Sequence, residues 1–152
     1  MDYIKLRDYR NSQNAFANYI GLSITEIRPG SASTKMPVTG HHMNPIGSVH
    51  GGCLSTMADV TGGAAASSYG WQVTTLDCDL HYLRPGLDVS CLYGEARELK
   101  RGKRVLVYEV SVRDQRGTVL AEGIYSYMAL QKRIFPEEEE QKQEAQKHTV
   151  LP

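Results

Sequence analysis

A proline-free run of small residues from 53 to 68 most constrains what this chain can fold into. Its apolar residues recur with a helical period, and one face collects Cys53, Leu54, Met57, Val60, Thr61 and Ala64. The opposite face consists of small residues and a single carboxylate, Asp59. The spacing predicts one helix, buried all round, from near residue 51 to near residue 70.

The face that carries Asp59 needs an explanation, because Gly62 and Gly63 each destabilise a helix interior by roughly 1 kcal/mol relative to alanine. Small residues allow a second backbone or a substrate to approach the helix closely. At the start of the helix, Gly51 and Gly52 leave first-turn N–H groups uncovered by side chains, at the positive end of the helix dipole. Such amides can stabilise a carbonyl oxygen that becomes negative. An amide donor and a carboxylate are the components of an acyl-transfer or hydrolysis site.

Gly51 and Asp59 cannot serve one site within a single chain. Eight residues separate them by about 12 Å along the helix axis. The amide donor and the nucleophile or base must each lie within about 3 Å of the reacting group. A second, antiparallel copy of the helix would place Gly51 of one chain opposite Asp59 of the other. If both residues act on one substrate, the sequence therefore predicts a two-fold dimer with two equivalent sites.

The motif around these residues resembles that of a known family. It reads Asn44-x5-His50-Gly51-Gly52-x6-Asp59, and a predicted strand that ends in YLRPG at 82–86 follows it. Over about residues 15 to 130, the chain resembles the hotdog-fold acyl-CoA thioesterases of the phenylacetate-pathway (PaaI-like) type. The resemblance implies an α+β hotdog fold, in which a curved antiparallel β-sheet wraps around one long central helix.

The resemblance also implies site residues. The Gly51 amide would polarise the thioester carbonyl, and Asp59 of the partner subunit would act as nucleophile or general base. Asn44 and His50 match positions that the family uses to orient the thioester or the attacking water. The family often places a hydroxyl near the aspartate, and counting back from the Arg-Pro break selects Thr75. The expected activity is hydrolysis of an acyl- or aryl-CoA thioester without a cofactor, since coenzyme A is part of the substrate and product.

A basic segment between two predicted strands has two interpretations. Its cations are Lys100, Arg101, Lys103 and Arg104. Charged residues are common in a solvated hairpin, but lysine and arginine also bind phosphate. The resemblance implies the second interpretation, a clamp for the anionic nucleotide part of coenzyme A.

The rest of the chain is typical of an α+β protein. Residues 3–19 predict one or two short amphipathic helices. Extended runs at 22–27 and 33–38 flank a Pro29-Gly30 turn. Four further strands are predicted at 72–83, 89–98, 105–113 and 118–130. Two strands, a long helix and four strands are expected to form an antiparallel sheet around the helix.

Length and charge favour one domain. The 152 residues suit a single hotdog domain over 1–130, followed at 131–152 by a charged tail that is a frayed helix or disordered. The 17 basic and 17 acidic residues balance, so neither nucleic acid nor a membrane is an expected partner. The N-terminus lacks the apolar run of a signal peptide, and no segment is long enough to span a membrane. We therefore expect a cytoplasmic protein.

No metal site is predicted. Cys53, Cys78 and Cys91 are an odd number without metal-ligand spacing, and we expect buried or half-buried reduced thiols. His41 and His42 are adjacent, but no carboxylate or thiol accompanies them at metal-ligand spacing. Three potential metal ligands lie at alternate positions of one predicted strand: Asp77, Asp79 and His81. We expect them to belong to a polar face of the sheet or to a subunit contact.

Two alternative functions belong to other classes. A hotdog-fold hydratase or dehydratase would use a histidine–acid pair on an enoyl thioester, for which His50 and Asp59 are candidates. A non-catalytic acyl-CoA-binding sensor would carry a DNA-binding segment, whereas only about twenty residues precede the first predicted strand. Aryl, short aliphatic and medium-chain acyl groups remain open. The site requires a dimer, and we expect the dimers to associate further into a tetramer.

Overall fold

The computed structural model describes residues 1–137, and the rest of the predicted tail, 138–152, lies outside the described residues. The strands are β1 (Ser23–Arg28), β2 (Ser31–Pro37), β3 (Trp71–Tyr82), β4 (Cys91–Arg101), β5 (Val105–Asp114) and β6 (Val119–Arg133). The helices are α1 (Tyr3–Gln13), α2 (Ala15–Tyr19) and α3 (Gly51–Ala66), with short 3-10 helices at Gly40–His42 and Ser67–Tyr69. The six strands form one sheet in the order β1-β2-β4-β5-β6-β3, and all neighbours are antiparallel.

The central helix α3 contacts all six strands, so the sheet curves around it. Its second half, from Thr61 to Ala66, is completely buried, whereas several residues of its first half, Asp59 among them, are only half-buried. The helix ends through a 3-10 turn, after which Gly70 adopts the left-handed conformation with φ of 85°. The predicted α+β arrangement of an antiparallel sheet around a central helix is confirmed. The prediction of a helix buried all round is wrong for its first half.

The helix α1 is joined firmly to the domain. Asp2 caps it by accepting the N–H groups of Ile4 and Lys5, each at 3.0 Å. Asn11 accepts the Ile24 N–H and donates to the Ile24 carbonyl, both at 2.9 Å, which pairs the helix with β1. Leu6 is fully buried. No helix within residues 1–137 combines the length and apolarity needed to cross a bilayer.

Tertiary contacts extend β6 beyond the predicted start of the tail at 131. The strand continues to Arg133, and Ile134 is buried in the core. The Phe135 ring then meets the Tyr9 ring of α1 edge to face, with 5.3 Å between centroids. The polar composition of the segment does not predict these contacts, because only two apolar residues, Ile134 and Phe135, make them.

One cysteine differs from expectation. Cys78 is exposed, whereas Cys53 is half-buried and Cys91 is buried. The reason is that β3 lies at the edge of the sheet, with β6 as its single neighbour in the described chain. Residues 74–79 of this strand are all exposed.

Candidate active site

The first turn of α3 presents one unpaired backbone donor. The N-cap His50 accepts the Gly52 N–H through Nδ1 at 2.8 Å. Its carbonyl accepts the N–H groups of Cys53 and Leu54 at 2.9 and 3.4 Å. Within residues 1–137, the Gly51 N–H has no acceptor. The expectation of an uncovered Gly52 amide is therefore wrong, and the dipole of α3 is presented through Gly51 alone.

Gly51 opens onto a groove with a volume of about 260 Å³. The loop at 44–49 forms one wall and the segment at 82–86 forms another. A Cβ atom built on Gly51 would lie 3.3 Å from Cε1 of Tyr82, so glycine leaves the space that the tyrosine ring and a ligand need. The structure thus brings the HGG motif and the YLRPG motif together in one groove.

Asn44 organises the loop that leads into α3. Its Oδ1 accepts the N–H groups of Ile46 and Ser48 at 3.2 and 3.0 Å. Its Nδ2 donates to the Ser48 hydroxyl at 2.8 Å. These bonds fix the wall of the groove beside Gly51. Within residues 1–137, one N–H of the Asn44 amide has no acceptor and can bind a ligand.

Asp59 lies about two turns further along α3, and the hydroxyl of Thr75 donates to its Oδ1 at 2.6 Å. The two residues therefore lie where the sequence predicts them, side by side. The Tyr127 hydroxyl donates to the backbone carbonyl of Asp59 at 2.9 Å. Burial raises the pKa of Tyr127, and the Asp59 carboxylate acts in the same direction, so this phenol remains a donor.

The supporting tyrosines on β6 had no role in the predicted site. Tyr125 and Tyr127 alternate along the strand and share its inner face. The Tyr125 hydroxyl donates to the Ser55 carbonyl at 3.5 Å, one helical turn before Asp59. The alternation in the sequence indicates a common face, but only the packing of α3 on β6 shows which carbonyls the hydroxyls meet.

Contacts within the chain explain why position 62 of α3 is glycine, and they leave room for a methyl group at position 63. A Cβ on Gly62 would overlap the Tyr127 hydroxyl. A Cβ on Gly63 would lie 3.4 Å from Nη2 of Arg10 and 3.5 Å from Cε1 of Tyr127. The prediction that this small face receives a second helix is therefore wrong for these two glycines, because β6 and α1 occupy it.

The predicted coenzyme-binding cations lie at the turn between β4 and β5: Lys100, Arg101, Lys103 and Arg104. The Arg101 guanidinium stacks on the Tyr69 ring at 4.3 Å, beside a cavity of about 360 Å³ that Trp71 and Lys103 also line. This cavity adjoins the C-terminal end of α3, whose 16 residues span about 24 Å. Within one chain, the basic turn and Gly51 are therefore at opposite ends of the helix.

The residues that could suggest a metal are not assembled into a site. No group of three or more potential ligands suited to a metal occurs in residues 1–137. On β3, His81 Nε2 and Asp79 Oδ1 are 3.4 Å apart on the exposed edge strand. Both ring nitrogens of His42 are engaged, with the Thr39 N–H at 2.9 Å and the Ile20 carbonyl at 2.7 Å.

Comparisons with known proteins identify the family and the fold. Residues 46–121 match the thioesterase superfamily. The acyl-coenzyme A thioesterase PaaI of Escherichia coli is 31% identical over 108 residues, which cover 71% of this chain and 77% of that protein. The structure of the E. coli PaaI protein from the phenylacetic acid degradation operon is similar, with a TM-score of 0.77, 26% identity and coverage of 84% of this chain and 96% of that chain.

Two further structures share the architecture. The conserved protein PA5202 of Pseudomonas aeruginosa is 33% identical, with a TM-score of 0.75 and coverage of 80% of this chain and 98% of that chain. A hypothetical thioesterase of Streptococcus pneumoniae, solved with coenzyme A, is 25% identical, with a TM-score of 0.72 and coverage of 86% and 98%. The chain therefore belongs to the thioesterase superfamily, as a PaaI-like, hotdog-fold thioester hydrolase.

Proposed function

We propose that this protein hydrolyses acyl- or aryl-CoA thioesters to the free acid and coenzyme A. The Gly51 N–H polarises the thioester carbonyl, and Asp59 of the partner subunit acts as the nucleophile or general base. The observation that carries the proposal is the unpaired Gly51 N–H, the one first-turn donor of α3 left without an acceptor in residues 1–137. An amide in this position is suited to an oxyanion.

The state of Asp59 supports the other half of the site. Its carboxylate is half-buried, and Thr75 holds one oxygen at 2.6 Å. The second oxygen, Oδ2, is not the one that Thr75 binds, and it is the atom that attacks a carbonyl carbon or takes a proton from water. The relatives named as acyl-CoA thioesterase or solved with coenzyme A support this substrate class.

The proposed site joins two subunits. Gly51 and Asp59 of one chain are about 12 Å apart along α3, too far to act on one carbonyl. The exposed edge strand β3 offers unpaired backbone groups for pairing with a second copy, and it carries Leu76 and Tyr82, which are 48% and 56% exposed. In an antiparallel pair of α3 helices, each Gly51 would approach the partner's Asp59. Association of these dimers into a tetramer remains an expectation.

The chemistry balances by either route. As a nucleophile, Asp59 adds to the carbonyl carbon, the C–S bond breaks, and coenzyme A leaves as a thiolate that takes a proton from water. Water then hydrolyses the mixed anhydride and regenerates the carboxylate. As a general base, Asp59 takes the proton of the attacking water and passes it to the leaving sulfur. Both routes place negative charge on the oxygen that faces Gly51, and neither requires a cofactor.

The hydratase alternative receives less support from the geometry. His50 directs Nδ1 to the Gly52 N–H, and Asp59 pairs with Thr75, so the two do not form a histidine–acid pair within the chain. For the binding-module alternative, the same site would hold the thioester without releasing a thiol.

Thiol release from a panel of aryl- and alkyl-CoA thioesters tests the proposal. Asp59→Asn should lower kcat at least about 1,000-fold, because it removes the nucleophile or base and keeps the shape. Asp8→Asn, on the exposed face of α1, is the matched control and should retain parent activity. Turnover retained by Asp59→Asn would refute the mechanism, and a folded dimer that releases no thiol from any thioester would refute the activity.

A further inference from the structure

Arg10 of α1 is a half-buried cation, and no carboxylate within residues 1–137 forms an ion pair with it. Its Nε atom is sealed from solvent and makes no hydrogen bond. The guanidinium lies on the second half of α3, where Nη2 is 3.4 Å from the position of a Cβ on Gly63.

Such an arrangement is unfavourable in the free protein. Burial lowers the pKa of Arg10, while Tyr127, Asp59 and Tyr9 act in the opposite direction. An arginine nevertheless remains charged in proteins, and a partner stabilises a charge that is partly withdrawn from water. Asp59 is the carboxylate whose charge raises the pKa of Arg10. The two side chains do not form an ion pair within residues 1–137. The fork of N–H donors is thus positioned for an anion that arrives with a ligand.

The location relates this cation to the proposed reaction. Gly63 follows Asp59 by four residues, so Arg10 contacts the same face of α3 about 6 Å further along the axis. The thioester carbonyl is placed at Asp59 in the proposed function. An acyl group that extends from that carbonyl along α3 would bring its far end to the guanidinium.

We propose that Arg10 is a specificity residue that binds the terminal carboxylate of an ω-carboxyacyl thioester. The inference rests on the proposed function and names its substrate class. The axial spacing of about 6 Å corresponds to acyl groups of about five or six carbons with the thioester at one end and a carboxylate at the other. The guanidinium pairs with this carboxylate in a bidentate manner, as the planar fork of arginine allows.

Thiol release from length-matched pairs of thioesters tests this assignment in the intact protein. The pairs are succinyl- and butyryl-CoA, glutaryl- and pentanoyl-CoA, and adipoyl- and hexanoyl-CoA. The parent should show kcat/KM at least about tenfold higher for the carboxylate member of the glutaryl or adipoyl pair, because a neutral chain leaves the cation unpaired. Equal values within every pair would overturn the proposal without any variant.

Three variants separate specificity from structure. Arg10→Met should reduce the ratio of kcat/KM values within the preferred pair to near one, and Arg10→Lys should retain part of it. Arg7→Met, on the same helix but bound to Asp8 at 2.8 Å, is the matched control and should keep the parent ratio. Equal losses on both members of a pair with Arg10→Met would instead mean that Arg10 only supports the fold or Asp59. Failure of the proposed function is a different result, in which no member of any pair releases a thiol.

Discussion

The Thr75 hydroxyl on β3 donates to Oδ1 of Asp59 on α3 at 2.6 Å, so the edge strand of the sheet holds the carboxylate of the central helix. Thr75→Val should lower kcat/KM about 10- to 100-fold, because the carboxylate loses its fixed orientation. Thr75→Ser should restore most of the activity. Thr74→Val changes the exposed neighbour on the opposite strand face and should have little effect. Steady-state thiol release measures all three, and full activity of Thr75→Val would remove Thr75 from the site.

His50 caps α3 through the bond from the Gly52 N–H to its Nδ1 at 2.8 Å. His50→Ala should lower the free energy of unfolding by about 0.5–2 kcal/mol, since the Gly52 amide loses its acceptor. His50→Asn offers another side-chain acceptor and should recover much of the loss. The exposed His41→Ala is the control. Urea denaturation at one protein concentration measures these differences, and equal stability of the His50 and His41 variants would contradict the capping role.

The two glycines of α3 should respond oppositely to alanine. Gly62→Ala should destabilise the protein by about 1–2 kcal/mol, because the new methyl group overlaps the Tyr127 hydroxyl and that strain exceeds the gain in helix propensity. Gly63→Ala meets only ordinary contacts and should be neutral or stabilise by up to about 1 kcal/mol. Thermal unfolding of both variants provides the comparison. A destabilised Gly63→Ala with an unaffected Gly62→Ala would invert the expected packing.

Asp114 should contribute a pH-dependent part of the stability. Burial raises its pKa, but the hydrogen bonds from Arg116 and Thr118 outweigh burial, so the pKa lies below its ordinary value. A depressed carboxyl pKa stabilises the folded state above the unfolded pKa, near pH 4, and this contribution is lost as pH falls through the folded pKa. Asp114→Asn should therefore be about 1–3 kcal/mol less stable at pH 7, and the gap should narrow below about pH 4. A gap independent of pH in denaturant titrations would contradict this linkage.

The basic turn should affect binding of the nucleotide rather than the chemistry. Lys103→Gln with Lys100→Gln should raise KM for a CoA thioester about 3- to 10-fold at low salt and less at high salt, with kcat nearly unchanged. The same acyl group on a pantetheine thioester lacks the nucleotide and serves as the control substrate. Its KM should not change. An equal rise in KM for both substrates would show that the turn does not recognise the nucleotide.

Local patterns in the sequence determined much of this protein. The helical period of 53–68 identified α3, alternation and turns identified all six strands within a few residues, and the HGG-x6-D motif indicated the family. These features are predictable because they depend on residues close in sequence, where backbone periodicity decides which side chains share a face. The proximity of Thr75 to Asp59 was implied by the family resemblance and not by a local pattern. The roles of Asp59, Gly51, His50, Asn44 and Thr75 in catalysis remain predictions.

Only the tertiary structure decided which groups pair across elements. Nothing in the local pattern shows that Tyr127 fills the space at Gly62, that His50 covers Gly52 and leaves Gly51 open, or that Arg10 packs against Gly63. The contacts of Tyr127 and Arg10 join elements whose relative placement depends on the packing of the whole core. The His50 cap is different, because it depends on the rotamer of that one histidine. The edge position of β3 and the burial of Ile134 likewise arise from strand order, which no single segment encodes. Local sequence therefore set the elements and the motif, and long-range packing set the geometry that makes a site of them.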